Sequence, residues 1–197
     1  MKKIQQCHIQ SLHPTQITIG LIEVSDKCLK LAALKEKQKQ SFVSESSVPA
    51  VLGPMGTLYI TDHHHLILAA WHMKVQKAHF LVEANLSKLK PRKFWQEMVN
   101  NHWAHPVDHM GKVCPVSAIP NHVNGLRDDV YRSLARHVRD RGGYQKTPTA
   151  FAEFLWADFF RERIAIGPTR NDFDAAVQKA TKLAKSKKCR TLPGYCG

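Results

Sequence analysis

The chain has no cysteine pair spaced C-x-x-C, no apolar run of membrane-spanning length and no apolar stretch behind its charged first residues. Each absence narrows what it can be. The five cysteines (Cys7, Cys28, Cys114, Cys189, Cys196) are odd in number and scattered, so they read as reduced thiols rather than a zinc or redox motif. Without roughly 20 consecutive apolar residues no helix can cross a bilayer, so no membrane partner is expected. Met1-Lys2-Lys3-Ile4 runs into Gln5-Gln6-Cys7-His8 instead of an apolar core, and a cytoplasmic location is the expectation. Also missing are the H-E-x-x-H zinc helix, the G-x-S-x-G nucleophile elbow, a P-loop and any internal repeat. Acidic residues are scarce, 16 against 29 Lys and Arg, leaving a formal charge of +13. That balance favours polyanionic partners without choosing among nucleic acid, nucleotide and acidic protein.

What is present is enough for one sizeable core, or a core with a helical appendage: 197 residues, 43% of them hydrophobic. Residues 17–24 alternate and are β-branched, predicting a strand with Glu23 near its end. A carboxylate in a half-buried strand needs a partner or a task. Ser25 can cap a helix to about Gln40, with Leu29, Leu31, Ala32 and Leu34 as its apolar side, and residues 41–47 read as a linker. Residues 48–52 and 57–60 predict a hairpin about Gly53-Pro54-Met55-Gly56. A helix to about Met73 and a strand over residues 78–84 complete a β-β-α-β pattern.

After Pro91 the texture turns helical. Phe94, Trp95, Met98, Val99 and Trp103 share one side of a helix, and the histidine-dense residues 102–109 read as a loop. Asp128 or Asp129 caps a helix through Arg139. Thr147-Pro148 opens another, with Phe151, Phe154, Leu155, Phe159 and Ile164 inward. A last helix carries Phe173, Ala176, Val177, Ala180, Leu183 and Ala184 at helical spacing. The expected fold is therefore α/β (α+β): a small mixed-sheet core over residues 12–90, a helical region over 91–187 packed on it, and a tail over 188–197. The six basic residues between Lys179 and Arg190, with no acidic one among them, leave two readings of that end. Lys182, Lys185, Lys187, Lys188 and Arg190 are a solvated helix end, or they bind nucleic acid.

The chemistry gathers in Tyr59-Ile60-Thr61-Asp62-His63-His64-His65. A β-forming run ends, a polar pair follows, and an apolar segment too long for a strand begins. Strand, tight junction and helix is the reading, with Asp62 as N-cap to the amides of His64 and His65. First-turn amides and the positive end of the helix dipole attract anions, so Thr61, His63, His64 and His65 are candidate phosphate ligands. Consecutive helical residues point about 100° apart, so the three imidazoles cannot all face one ligand. Asp62 caps only, or holds a phosphate-bound Mg²⁺, or takes a proton. The rival reading of twelve histidines is a zinc site, with His63, His65 and one of His102, His105 or His109 converging in three dimensions.

Several of these stretches carry a resemblance. They are His13-Pro14-Thr15-Gln16 through Val24, the turn at Gly53 to Gly56, the Asp-His-His-His junction, Leu126 through Ala135, Gly142 through Thr147, Ala152 through Phe159, and Leu192-Pro193-Gly194-Tyr195. Together they resemble the ParB-like nuclease family, a divergent branch of the superfamily of ParB N-terminal domains and sulfiredoxins. The resemblance implies a small ParB/sulfiredoxin-like α/β fold whose strand-to-helix junction binds nucleotide phosphates: CTP in ParB relatives, ATP or ADP in sulfiredoxin and the free-serine kinases. Those kinases carry a D-G-H-H-R form of the motif, to which Asp62-His63-His64-His65 is similar. Here His63 stands in the glycine position, and His65 or Leu66 where an arginine would clamp phosphate. Sulfiredoxin's catalytic cysteine has no counterpart.

The same resemblance places Glu23 near the kinases' catalytic carboxylate, which makes Asp62, His64, His65 and Glu23 the candidate catalytic set. Arg132, Ser133, Arg136 and Lys146 fall in runs specific to this branch. Arg132 or Lys146 is then either a replacement phosphate ligand or, for Arg132, part of a surface ion-pair ladder with Asp128 and Asp129. Two functional expectations follow. One is nucleotide or phosphate binding with phosphoryl transfer or phosphodiester hydrolysis; the other is a non-enzymatic nucleic-acid-binding module using the basic tail. The sequence sets neither substrate nor oligomeric state.

Overall fold

The computed structural model describes residues 4–197, in two compact units that meet in the chain at Asp128 and Asp129. The first unit is built on a five-stranded mixed sheet in the order β1 (Ile4–His8), β6 (Lys77–Asn85), β4 (Val48–Leu52), β5 (Leu58–Ile60), β2 (Leu12–His13). β4 runs antiparallel to β5, as the hairpin reading requires, and parallel to β6. The Gly53 to Gly56 turn closes through Gly53 N–H on the Thr57 carbonyl at 2.8 Å. Mixed pairing of this kind, interleaved with helices, is the expected α/β (α+β) architecture.

Alternation along β4 divides the sheet's two faces. Val48 and Ala50 pack with Ile60 and with Leu66, Ile67, Ala69 and Ala70 of α3 (His64–His72), Val24 and Leu31 of α1 (Leu21–Ala32) and Val43 of α2 (Glu36–Glu45). Past a bulge between Ala50 and Val51, Val51 joins Ile17 and the Phe94 and Met98 of α4 (Pro91–Asn100), with Tyr59, Trp95 and Trp103 alongside. The aromatic face predicted after Pro91 is thus core, although Val99 is left 38% exposed.

Residues 17–45 depart most from expectation. Only Thr18–Ile19 form a strand, β3, paired in parallel with β7 (Arg127–Asp128). At Gly20 the chain turns into α1, because Asp128 Oδ1 accepts the Leu21 N–H at 2.8 Å and partners a first-turn amide. Glu23 therefore stands on the first turn of a helix, where a negative charge is favoured, and not at the end of a strand. The predicted single helix over 25–40 is two helices, and the predicted linker is largely α2. Leu29, expected to pack, is 69% exposed.

The second unit holds α5 (Val130–Asp140), α6 (Ala152–Arg161) and α7 (Arg170–Ala184). Asp129 caps α5 by accepting from Tyr131 N–H at 3.0 Å, and Thr169 and Asp172 form a capping box on α7. The predicted Thr147-Pro148 cap is corrected: the Thr147 hydroxyl bonds Thr149 at 3.0 Å, and α6 starts only after a left-handed Phe151. On α6, Trp156 and Phe160 are the buried anchors, while Leu155 is 44% exposed. The closing residues are tied down. Trp156 Nε1 donates to the Pro193 carbonyl and Gln145 N–H to the Gly194 carbonyl, both at 2.8 Å.

Candidate functional site

β5 delivers the chain to the junction in a fixed register. Thr61 N–H donates to the Pro49 carbonyl at 3.0 Å, continuing the β4 pairing, and the Thr61 hydroxyl donates to Glu83 Oε2 at 2.6 Å. The chain then turns at His63, whose φ of 63° and ψ of 18° lie in the left-handed region. That conformation explains a glycine at this place in the motif the sequence resembles. It also moves the helix start. The N-cap of α3 is His63, with its carbonyl accepting Ile67 N–H at 3.0 Å, while Asp62 Oδ1 turns onto His63 N–H at 2.6 Å. The expected capping of α3 by Asp62 is corrected accordingly, and Asp62 is exposed.

The three histidines go separate ways, as their angular spacing demands. His64 is 4% exposed and faces inward. Its Nε2 accepts Thr15 N–H at 3.2 Å, and the Thr15 hydroxyl donates in turn to the Ile60 carbonyl at 2.8 Å. An accepting Nε2 in a neutral ring puts the proton on Nδ1. His64 is a tie holding the first turn of α3 to the segment after β2.

His65 turns to α1. Its Nε2 lies 3.1 Å from Glu23 Oε2 and 3.3 Å from the Gly20 amide nitrogen. One ring nitrogen cannot satisfy both in one protonation state: unprotonated, it accepts from Gly20, and protonated, it donates to Glu23. The Glu23 side chain is only 8% exposed, and Lys27 Nζ stands 3.5 Å from its Oε1. A buried carboxylate is thus held between an imidazole and an ammonium at the positive ends of two helices. Sequence reasoning proposed Glu23 and His65 separately; their contact comes from the chain folding into α1 at Gly20. It missed Thr15, Lys27 and Glu83. Only Thr15 had a signal, lying within the His13-Pro14-Thr15-Gln16 run.

Beside this junction His13, on β2, packs 5.5 Å from the Tyr59 ring and 5.4 Å from the His122 ring, centroid to centroid. Burial, and then the neighbouring His122, hold its pKa below the ordinary histidine value.

The remaining candidates lie in the second unit. Arg132 is buried, with its guanidinium carbon 3.7 Å from the Phe154 ring centroid and Nη2 3.4 Å from Glu153 Oε2. Its Nε and Nη1 have no hydrogen-bond partner among the described residues. Arg139 also pairs with Glu153, and Asp129 pairs with Arg161 at 2.6 Å. The expected Asp128/Asp129 to Arg132 ladder is therefore replaced: Asp128 caps α1, and Arg132 turns to α6. Lys146 is exposed. So are Lys182, Lys185, Lys187, Lys188 and Arg190, around the buried Cys189. Among the described residues no group of three or more His, Cys, Asp or Glu side chains is arranged to hold a metal ion.

The family described as "Putative ParB-like nuclease" matches residues 5–162. Protein Atu1540 from Agrobacterium tumefaciens, known from a crystal structure, is 37% identical over 99% of this chain and 98% of its own, with a TM-score of 0.90. No curated protein matches.

Proposed function

Since the chain belongs to the ParB-like nuclease family, we propose that it binds a nucleotide or other phosphorylated ligand at the Thr61 to His65 junction and catalyses phosphoryl transfer or phosphodiester hydrolysis there. The observation that carries this reading is the Glu23 and His65 contact at the first turn of α3. First-turn amides of α3 receive the phosphate, in the manner of other helix N-termini. Glu23 is the general base. It takes the proton of an attacking water or hydroxyl as the new P–O bond forms and the bond to the leaving oxygen breaks, and that oxygen takes a proton from solvent. His65 and Lys27 position the carboxylate, and a protonated His65 offsets its charge.

Asp62 suits a phosphate-bound Mg²⁺. Mg²⁺ is ordinarily held by one or two carboxylates, substrate phosphates and water rather than by an all-protein cage. Asp62 is exposed beside the first turn, where its Oδ1 accepts the His63 N–H. When bound, such an ion would neutralise charge on the phosphate oxygens.

The test is equilibrium titration with ATP, ADP, CTP and short DNA, with and without Mg²⁺, followed by assays for phosphate release and strand cleavage. Binding that survives Glu23→Gln, with turnover lost, is the expected result. No binding of any of the four ligands overturns the proposal.

A second reading is favoured by one observation: all five basic side chains at the end of α7 are exposed. In it the chain is a non-enzymatic nucleic-acid-binding module. Because residues 193 and 194 are anchored, the appropriate variant replaces Lys182, Lys185, Lys187, Lys188 and Arg190 with Gln and leaves the segment in place. A salt-dependent DNA shift abolished by that variant and unchanged in Glu23→Gln supports this reading; a shift insensitive to salt counts against it.

A further inference from the structure

At the opposite end of α3 from the junction, Trp71 is shared by two adjoining clefts of the first unit, of about 220 and 320 Å³. Buried apolar side chains, Ile9 and Leu12 in one and Ile9 and Val75 in the other, form their inner walls. The rims are exposed and polar: Gln10, His122 and Asn124 on one side, His8, His72, Lys74 and Gln76 on the other. Among the described residues, neither lining contains an acidic side chain.

The chain builds this place deliberately. α3 ends with Lys74 in the left-handed region, so that Lys74 N–H returns to the Trp71 carbonyl at 3.1 Å and Val75 N–H to the Ala70 carbonyl at 3.0 Å. The reversal carries Gln76 back alongside Ile9, whose N–H donates to the Gln76 carbonyl at 3.0 Å. The Trp71 indole is left half-buried, with the His72 ring edge-on to it at 5.2 Å. Trp71 packs against the core of the first unit and keeps the rest of its surface for the two clefts that it lines.

We propose that the Trp71 clefts hold unpaired bases of single-stranded nucleic acid. Both volumes lie near or below the lower end of the ~300–1,000 Å³ typical of pockets for drug-sized ligands, which suits a single ring system. The accessible part of the Trp71 indole offers a base a surface to stack on, and side-chain amides such as Gln10 and Asn124 carry both donors and acceptors for a base edge. Lys74 and the net charge of +13 match a phosphate backbone, and no carboxylate among the described lining residues opposes it. Trp71 is seven residues beyond His64, about 10 Å along the helix axis. That is roughly three phosphates of a stacked strand. The proposal does not rest on phosphoryl transfer at the junction, and it uses none of the basic residues at the end of α7.

The experiment is fluorescence anisotropy with labelled ten-nucleotide dT and U strands and a duplex of equal length, across a salt series. Expected are binding of the single strands in preference to the duplex, and a loss of about tenfold or more in Trp71→Ala, the scale of one stacked base. Trp71→Phe should recover part of the loss, and the ratio between wild type and Trp71→Ala should persist as salt weakens both. DNA against RNA preference is read from the dT and U arms. Should Trp71→Ala fail to fold, the rim variants Asn124→Ala and Gln10→Ala carry the test, each expected to weaken single strands with melting unchanged. Wild-type affinity in the folded Trp71 or rim variants, or equal binding of duplex and single strand, overturns the proposal. Absence of turnover in the wild type, or turnover unchanged in Glu23→Gln, with these affinities intact would overturn the junction reading alone.

Discussion

His65 Nε2 stands 3.1 Å from Glu23 Oε2, joining the first turn of α3 to the first turn of α1 with both side chains largely removed from solvent. Removing one partner of such a pair leaves an uncompensated buried group, at a cost of about 3 kcal/mol. Glu23→Ala and His65→Ala should each lower stability on that scale in urea denaturation, and the double variant should lose less than their sum, with a coupling of about 1–3 kcal/mol. A coupling within about 0.3 kcal/mol of zero would mean that the two residues are neighbours without being partners.

The left-handed backbone of His63 gives a second expectation. A non-glycine residue pays roughly 1–2 kcal/mol to stand there, and a β-branched one more. His63→Gly should therefore be neutral or stabilising by up to about 1 kcal/mol, after allowing for the added freedom of the unfolded chain. His63→Val should destabilise by about 2 kcal/mol. If melting shows both variants equally destabilised, the His63 side chain contributes more than its backbone strain costs.

Much of this arrangement was legible beforehand. The hairpin, the histidine helix and the strand after it follow from β-branched alternation, the glycine-proline turn and a long apolar run. Those signals are local. What was not legible depended on groups distant in sequence. Residues 17–24 look like one strand until the Asp128 carboxylate captures Leu21 N–H and turns the chain helical after Gly20. The same turn carries Glu23 to His65, so the contact at the centre of the site could not be read from either segment alone. Asp62 failed as a cap for a conformational reason, because the residue after it adopts a positive φ that no propensity scale predicts. Among the three histidines, angular spacing showed that they diverge, but only the Thr15 amide decides that His64 is the one inside.

A pH dependence follows from His13. Its folded pKa is lowered by burial and by His122, so the unfolded chain binds the proton more readily than the folded one does. Stability from this group is fully present above the unfolded value of about 6.5 and is lost as pH falls through the lower folded value. His13→Gln should flatten the decline in melting temperature as pH falls below about 6.5, relative to wild type. The difference between the two profiles is the measurement. Parallel profiles would remove His13 from the account.

Two glycines with nearly the same backbone separate conformational strain from collision. Gly56 has φ +76° and Gly194 φ +75°, so alanine at either place meets the left-handed penalty of roughly 1–2 kcal/mol. A Cβ on Gly56 would have nothing within 4 Å, whereas one on Gly194 would stand 2.1 Å from the Gln145 carbonyl oxygen, a backbone atom unable to step aside. Relief requires the closing segment to move, and with it go the Gln145 to Gly194 and Trp156 to Pro193 hydrogen bonds. Gly194→Ala should thus cost more than Gly56→Ala by about 1–3 kcal/mol, the usual scale of overpacking. Limited proteolysis should cut Gly194→Ala near its C-terminus and leave Gly56→Ala intact there. Equal stability losses and equal cleavage in the two variants would show that the last residues are not held to Gln145 and Trp156 in solution.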